Sequence, residues 1–159
     1  MRSSFGALSL IAFASNASAA VLVAHSPLIK YAGHYPFEKV DGFHFANNPQ
    51  VAAALERASI NEIILREVRK SGVSAPIELS EETLLSGTCQ PHNCPGRNWT
   101  VAYSIATKKA AVCFFDSDLM DHPRWFSGGK YISASSDGCS FHLSELPRQV
   151  AVYLAKFDR

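Results

Sequence analysis

Two cysteines five positions apart, Cys89 and Cys94, enclose Gln90-Pro91-His92-Asn93 and constrain this chain more than any other feature. A disulfide needs its two Cα atoms roughly 4.4–6.8 Å apart, so the intervening backbone must double back. Pro91 fixes its own φ and biases Gln90 toward extended backbone, and Pro95 does the same to Cys94. The turn itself is then left to His92 and Asn93, and asparagine tolerates left-handed geometry. Both legs are stiff, and His92 projects from the bend. Closing so small a ring is worth only about 2 kcal/mol in the chain-entropy model. Global stability is therefore a weak reason for the bridge, and pre-organising a tip that inserts into something is a better one.

The redox setting follows from the N-terminus. Arg2, the apolar run over residues 5–13 and the small residues Ala17-Ser18-Ala19 have the pattern of an export signal over 1–19. The apolar run is too short to span a bilayer, and no later stretch reaches the roughly 20 apolar residues required. The expectation is one exported domain over 20–159, with a periplasmic location. Removing the leader takes away Arg2 and no acid, which leaves 14 basic residues against 14 acidic ones. That balance argues against nucleic acid or an anionic membrane surface as partner. In an oxidising compartment four cysteines favour two disulfides. Of the three pairings, Cys89–Cys94 with Cys113–Cys139 is preferred, because the prolines already bend the first loop toward closure.

The rest of the chain divides into a helical part and a strand-rich part. Residues 21–48 read as irregular, with the aromatics of Tyr35-Pro36-Phe37 and Gly42-Phe43-His44-Phe45 packing onto the domain. Asn48 is the expected N-cap and Pro49 the first residue of a helix. Val51, Ala54, Leu55 and Ala58 recur at helical spacing. Ser59 and Glu62 resemble a capping box at which the helix restarts. The apolar stripe continues through Ile60, Ile63, Ile64 and Val68, while Glu62, Arg66, Glu67, Arg69 and Lys70 face water. Gly72 is the expected left-handed cap. Strands are then expected over 77–79, 83–88, 99–106, 110–116, 130–133, 141–143 and 149–157, with a hairpin turn at Thr107-Lys108-Lys109. A helix followed by hairpins predicts an α+β fold: a mostly antiparallel sheet of about five strands, an amphipathic helical segment packed on it, and a protruding disulfide loop.

Cys89-Gln90-Pro91-His92-Asn93-Cys94 resembles the Cys-Lys-Pro-His-Asp/Asn-Cys loop of the Ivy family, bacterial inhibitors of vertebrate-type (c-type) lysozyme. The leader, the aromatic segment near Tyr35, the preceding helix and the following strands are similar in arrangement. The resemblance implies an inhibitor rather than an enzyme, a homodimer, and a loop that enters the lysozyme cleft with its histidine, here His92, against the catalytic carboxylates. Such a cleft holds one protonated glutamic acid and one ionised aspartate. A neutral imidazole accepts from the acid and donates to the carboxylate, whereas a doubly protonated ring donates to both. Pro91 and the Cys89–Cys94 bridge would shape the loop, with Gln90, Asn93 and Arg97 at the cleft rim. The partner is a c-type lysozyme or a related murein-cleaving enzyme. Gln90 stands where the family commonly has lysine, so shape and one imidazole carry much of the recognition.

Other chemistries are less well supported. Cys89, His92 and Cys94 form a cramped set that would begin a metal or small-ligand site, but structural zinc usually takes four ligands. No cofactor is implied. Asp116-Ser117-Asp118 with Asp121-His122 lacks the glycine and closing glutamate of a calcium loop and reads as a solvated turn. No serine lies in a Gly-x-Ser-x-Gly elbow. Asn98-Trp99-Thr100 matches a glycosylation sequon, and His25, His34, His44 and His142 show no interpretable spacing.

Overall fold

Pro49, which lacks an N–H to leave unsatisfied, begins the first helix, α1 (Pro49–Ala58). The Asn48 side chain accepts from the Gln50 N–H at 3.1 Å, and its carbonyl accepts from Ala52. The computed structural model describes residues 26–58, 61–135 and 138–157. The expected leader and its boundary at residue 20, and the cap expected at Ser59, lie outside these residues. A second short helix, α2 (Glu62–Glu67), is capped by Asn61, whose side chain accepts from the Ile64 N–H. The restart expected near Ser59 therefore occurs at Asn61.

Among the described residues seven strands follow: β1 (Val73–Ser74), β2 (Glu78–Ser80), β3 (Thr83–Cys89), β4 (Arg97–Ser104), β5 (Ala110–Asp116), β6 (Arg124–Ser127) and β7 (Lys130–Ala134). All pair antiparallel in one sheet, β1-β3-β4-β5-β6-β7, with β2 also paired to β3. The α+β class, the antiparallel sheet and the packed helix agree with the sequence; two strands are added. One of them, β6, joins β7 through Gly128-Gly129, both at positive φ as a two-residue hairpin of this kind requires.

Two expected strands do not form. Residues 149–155 of the expected strand 149–157 belong to α3 (Arg148–Ala155), in which Val150 and Leu154 are buried and Val152 is 60% exposed. Burial at i and i+4 is the period of a helix and not of a strand. The expected strand at 141–143 is a bend entering a 3-10 turn at Leu143–Glu145.

The sheet is covered on both faces. Trp99, Val101 and Tyr103 of β4, with Val112 and Phe114 of β5, face α1, Leu28, Tyr31 and Phe45. The alternate residues Leu85, Ala102, Ala111 and Cys113 face Trp125, Val150 and Leu154. Double coverage explains why β3–β5 read as nearly continuous apolar runs rather than as alternation. Of the N-terminal aromatics, Phe45 is buried edge-on to Tyr31, while Tyr35 and Phe43 are largely exposed rather than packed as expected. Among the described residues no helix is long and apolar enough to cross a membrane.

Candidate functional site

The loop is the connection between β3 and β4. Cys89 pairs across the ladder with Asn98, and the Gln90 N–H extends it by donating to the Arg97 carbonyl at 3.0 Å. Beyond that point the strands part. The Asn93 N–H donates back to Gln90 at 3.0 Å, closing a four-residue turn with Pro91 in second place and His92 in third. His92 has φ 64°, the positive value a type II turn demands at that position. Pro91 favours this turn, but His92 rather than Asn93 takes the left-handed conformation. Histidine is among the non-glycine residues enriched there.

The Cys89–Cys94 disulfide closes the base with a Cα separation of 4.8 Å. Gln90, Pro91, His92 and Asn93 are all exposed, and the His92 ring has no hydrogen-bond partner among the described residues. The loop thus presents an imidazole on a bent, covalently closed support.

The return leg is tied down from several sides. The Asn93 carbonyl accepts from both Gly96, at 3.1 Å, and Arg97, at 2.8 Å. Gly96 has no room for a side chain: a Cβ there would collide with the Asn93 side-chain oxygen. Its carbonyl accepts from Ser117 at 2.8 Å, joining the loop to the end of β5. Gly72 serves a similar end. It is not the left-handed cap expected, since α2 stops at Glu67 and the φ of Gly72 is not positive. A Cβ at Gly72 would strike the Cys89 carbonyl, so glycine lets the chain pass close to the loop's base.

Arg97, expected at the rim, is partly exposed beside Gln90 and Pro91, and its guanidinium pairs with two buried carboxylates. Its Nη2 lies 3.1 Å from Glu67 Oε2, and its Nε lies 3.3 Å from Asp116 Oδ2. Glu67 also pairs with Lys70 at 2.6 Å. Both carboxylates are buried, at 3% exposure for Glu67 and 6% for Asp116. This corrects two expectations. Glu67 does not face water, because the buried side of α2 is Ile64, Glu67 and Val68 while Ile63 is 53% exposed. Asp116 is likewise not part of a solvated turn. Buried carboxylates require partners, and these two share the one guanidinium.

A second strap lies beside the loop. Cys113 of β5 is bonded to Cys139, with a Cα separation of 5.5 Å. The Ser140 carbonyl accepts from the Thr100 hydroxyl at 2.6 Å, and Phe141 fills the space that a side chain at Gly87 would take. His142, which carried no signal in the sequence, bonds Glu78 at 2.7 Å. That carboxylate also accepts the Leu143 N–H, which holds its pKa below the ordinary carboxylate value, while the bond to Glu78 raises that of His142. Asn98 of the sequon is buried between strap and loop, with its amide committed to both.

The cysteine chemistry rules on the metal alternative. Cys89 and Cys94 are bonded to each other, so the Cys89/His92/Cys94 set has no thiolate to offer a metal. Among the described residues no group of three His, Cys, Asp or Glu side chains is placed to hold an ion.

Residues 64–122 match the family described as Inhibitor of vertebrate lysozyme (Ivy). The match runs from within α2 past β5, so it includes the loop together with Glu67, Arg97 and Asp116. The Ivy resemblance read from the cysteine loop thus extends over the elements that carry it. No curated protein matches the chain.

Proposed function

We propose that this chain is an Ivy-type inhibitor that blocks c-type lysozyme by placing the Cys89–Cys94 loop in the active-site cleft. The observation that supports this most is the presentation of His92. It stands exposed at the third position of a proline-initiated turn whose two ends are joined covalently. An imidazole in that position offers one nitrogen to each of two carboxylates, and the loop around it excludes the sugar. Little conformational entropy remains to be lost on insertion, because both legs are already fixed.

The same reading has the protein acting as a binding partner and not as a catalyst. It places the protein in the periplasm as a homodimer, with residues 1–19 removed as a leader. The near balance of acid and base fits recognition through shape and one imidazole rather than through long-range charge.

A lysis assay tests the function and the mechanism separately. The oxidised protein at micromolar concentration is expected to inhibit c-type lysozyme. His92→Ala is expected to weaken inhibition about thirtyfold or more, as truncation of a central contact residue does. Absence of inhibition by the wild type would refute the lysozyme assignment. Undiminished inhibition by His92→Ala would keep the function and reject the insertion mechanism.

A further inference from the structure

We propose that Arg97, held between Glu67 and Asp116, is the positioning residue of the loop, fixing the direction in which His92 is presented. The inference deepens the lysozyme-inhibitor reading and rests on it for its functional consequence.

Arg97 is where three parts of the protein meet. Its backbone touches both legs of the loop: the carbonyl accepts from the Gln90 N–H at 3.0 Å, and the N–H donates to the Asn93 carbonyl at 2.8 Å. Its side chain reaches α2 through Glu67 and β5 through Asp116, the residue opposite it in the ladder. Cys89 anchors the outgoing leg in β3, and Ser117 and Asn98 tie the return leg at Gly96 and Cys94. Arg97 is the one of these anchors whose backbone bonds both legs while its side chain reaches two further elements.

Charge and burial supply the grip. Glu67 is supplied by the last turn of α2 and Asp116 by the last residue of β5, on separate supports. The guanidinium meets the two carboxylates as ion pairs at two separate nitrogens, Nη2 and Nε, which the single nitrogen of an ammonium does not provide. Lys70 completes the neutralisation of Glu67 from the exposed side. Glu67, Lys70, Gln90, Pro91 and Arg97 also line a small cleft at the flank of the loop. The proposed action of Arg97 on a partner is through the loop that its backbone holds.

A double-mutant cycle with Glu67→Gln and His92→Ala tests this, with lysozyme affinity as the readout. Glu67→Gln keeps the shape of the side chain and removes its charge. It is expected to raise the dissociation constant about tenfold in the wild-type background but less than about twofold in the His92→Ala background, because coupled residues are not additive. Full additivity, or an unchanged affinity in Glu67→Gln, would overturn the proposal, since a general loss of structure does not depend on His92. Amide hydrogen exchange reads the same claim without lysozyme. The Gln90, Asn93 and Arg97 amides are expected to exchange about tenfold faster in Glu67→Gln while the central amides of β4 and β5 keep their rates. Unchanged loop rates, or equal acceleration throughout the sheet, would refute it. Should Glu67→Gln fail to fold, Arg97→Lys is measured in the same two ways, with the same outcomes deciding. A wild type that does not inhibit lysozyme would remove the function, and the exchange experiment would still decide the positioning role.

Discussion

The side-chain amide of Asn98 donates to the Cys94 carbonyl at 2.8 Å, and through its oxygen it accepts the Cys139 N–H at 2.9 Å. One buried amide therefore joins the end of the loop to the strap held by the second disulfide. Both partners are backbone groups that would otherwise be short of a bond in a dry site. Leaving such groups unsatisfied costs about 1–3 kcal/mol. Asn98→Ala is expected to lose stability in that range by urea denaturation. Asn98→Asp should lose more, since it sets a carboxylate against the Cys94 carbonyl.

The two disulfides should divide stability from function. The Cys113–Cys139 bridge closes a much longer loop, with a sequence separation of 26 against 5 for Cys89–Cys94. Chain entropy assigns them about 3.5 and about 2 kcal/mol, respectively. Replacing Cys113 and Cys139 with alanine should lower the denaturation midpoint more than replacing Cys89 and Cys94. The order reverses for inhibition, because the smaller ring shapes the tip. Equal effects of the two pairs on inhibition would show that the small ring has no special role.

The His142–Glu78 contact gives the strap a pH dependence. Glu78 is held below its ordinary value of 4.5, first by the Leu143 N–H and then by His142, so its contribution is present above about 4.5 and is lost as pH falls through the lowered pKa. The bond to Glu78 raises His142 above its ordinary 6.5, so that contribution is present below about 6.5 and is lost as pH rises through the raised pKa. The pair is fully formed between those ordinary values. In an NMR titration the His142 midpoint should lie above 6.5 and fall back in Glu78→Gln. A wild-type midpoint at or below 6.5 would contradict the contact.

The C-terminal helix offers a sharp test of its register. Leu154 is buried against the sheet, whereas Val152 is 60% exposed. Leu154→Ala should cost about 2–5 kcal/mol, the range for emptying a buried leucine site. Val152→Ala should change stability by about 0.5 kcal/mol or less. Similar losses at both positions would mean that the segment is not the amphipathic helix described.

Features governed by local chemistry could be read from the order of residues. Asn48-Pro49 marked the start of α1, the spacing of Val51, Ala54, Leu55 and Ala58 marked its inner face, and the β-branched and aromatic runs marked β3–β5. Pro91 and the two cysteines made a tight turn carrying His92 legible, because a proline and a short covalent ring restrict the backbone locally, but the corner falls at Pro91-His92, with His92 and not Asn93 left-handed. Segment 149–157 was not legible in this way: nine residues carry too few turns for periodicity to separate helix from strand, and packing against Leu85 and Trp125 decided it. The partners of Glu67, Asp116 and His142 were decided by tertiary structure alone. In sequence Glu67 is one charge in a charged run, and only the approach of α2 to the start of β4 buries it against Arg97. A charge's environment is set by residues distant in the chain, so the loop could be read from its own letters while its anchor could not.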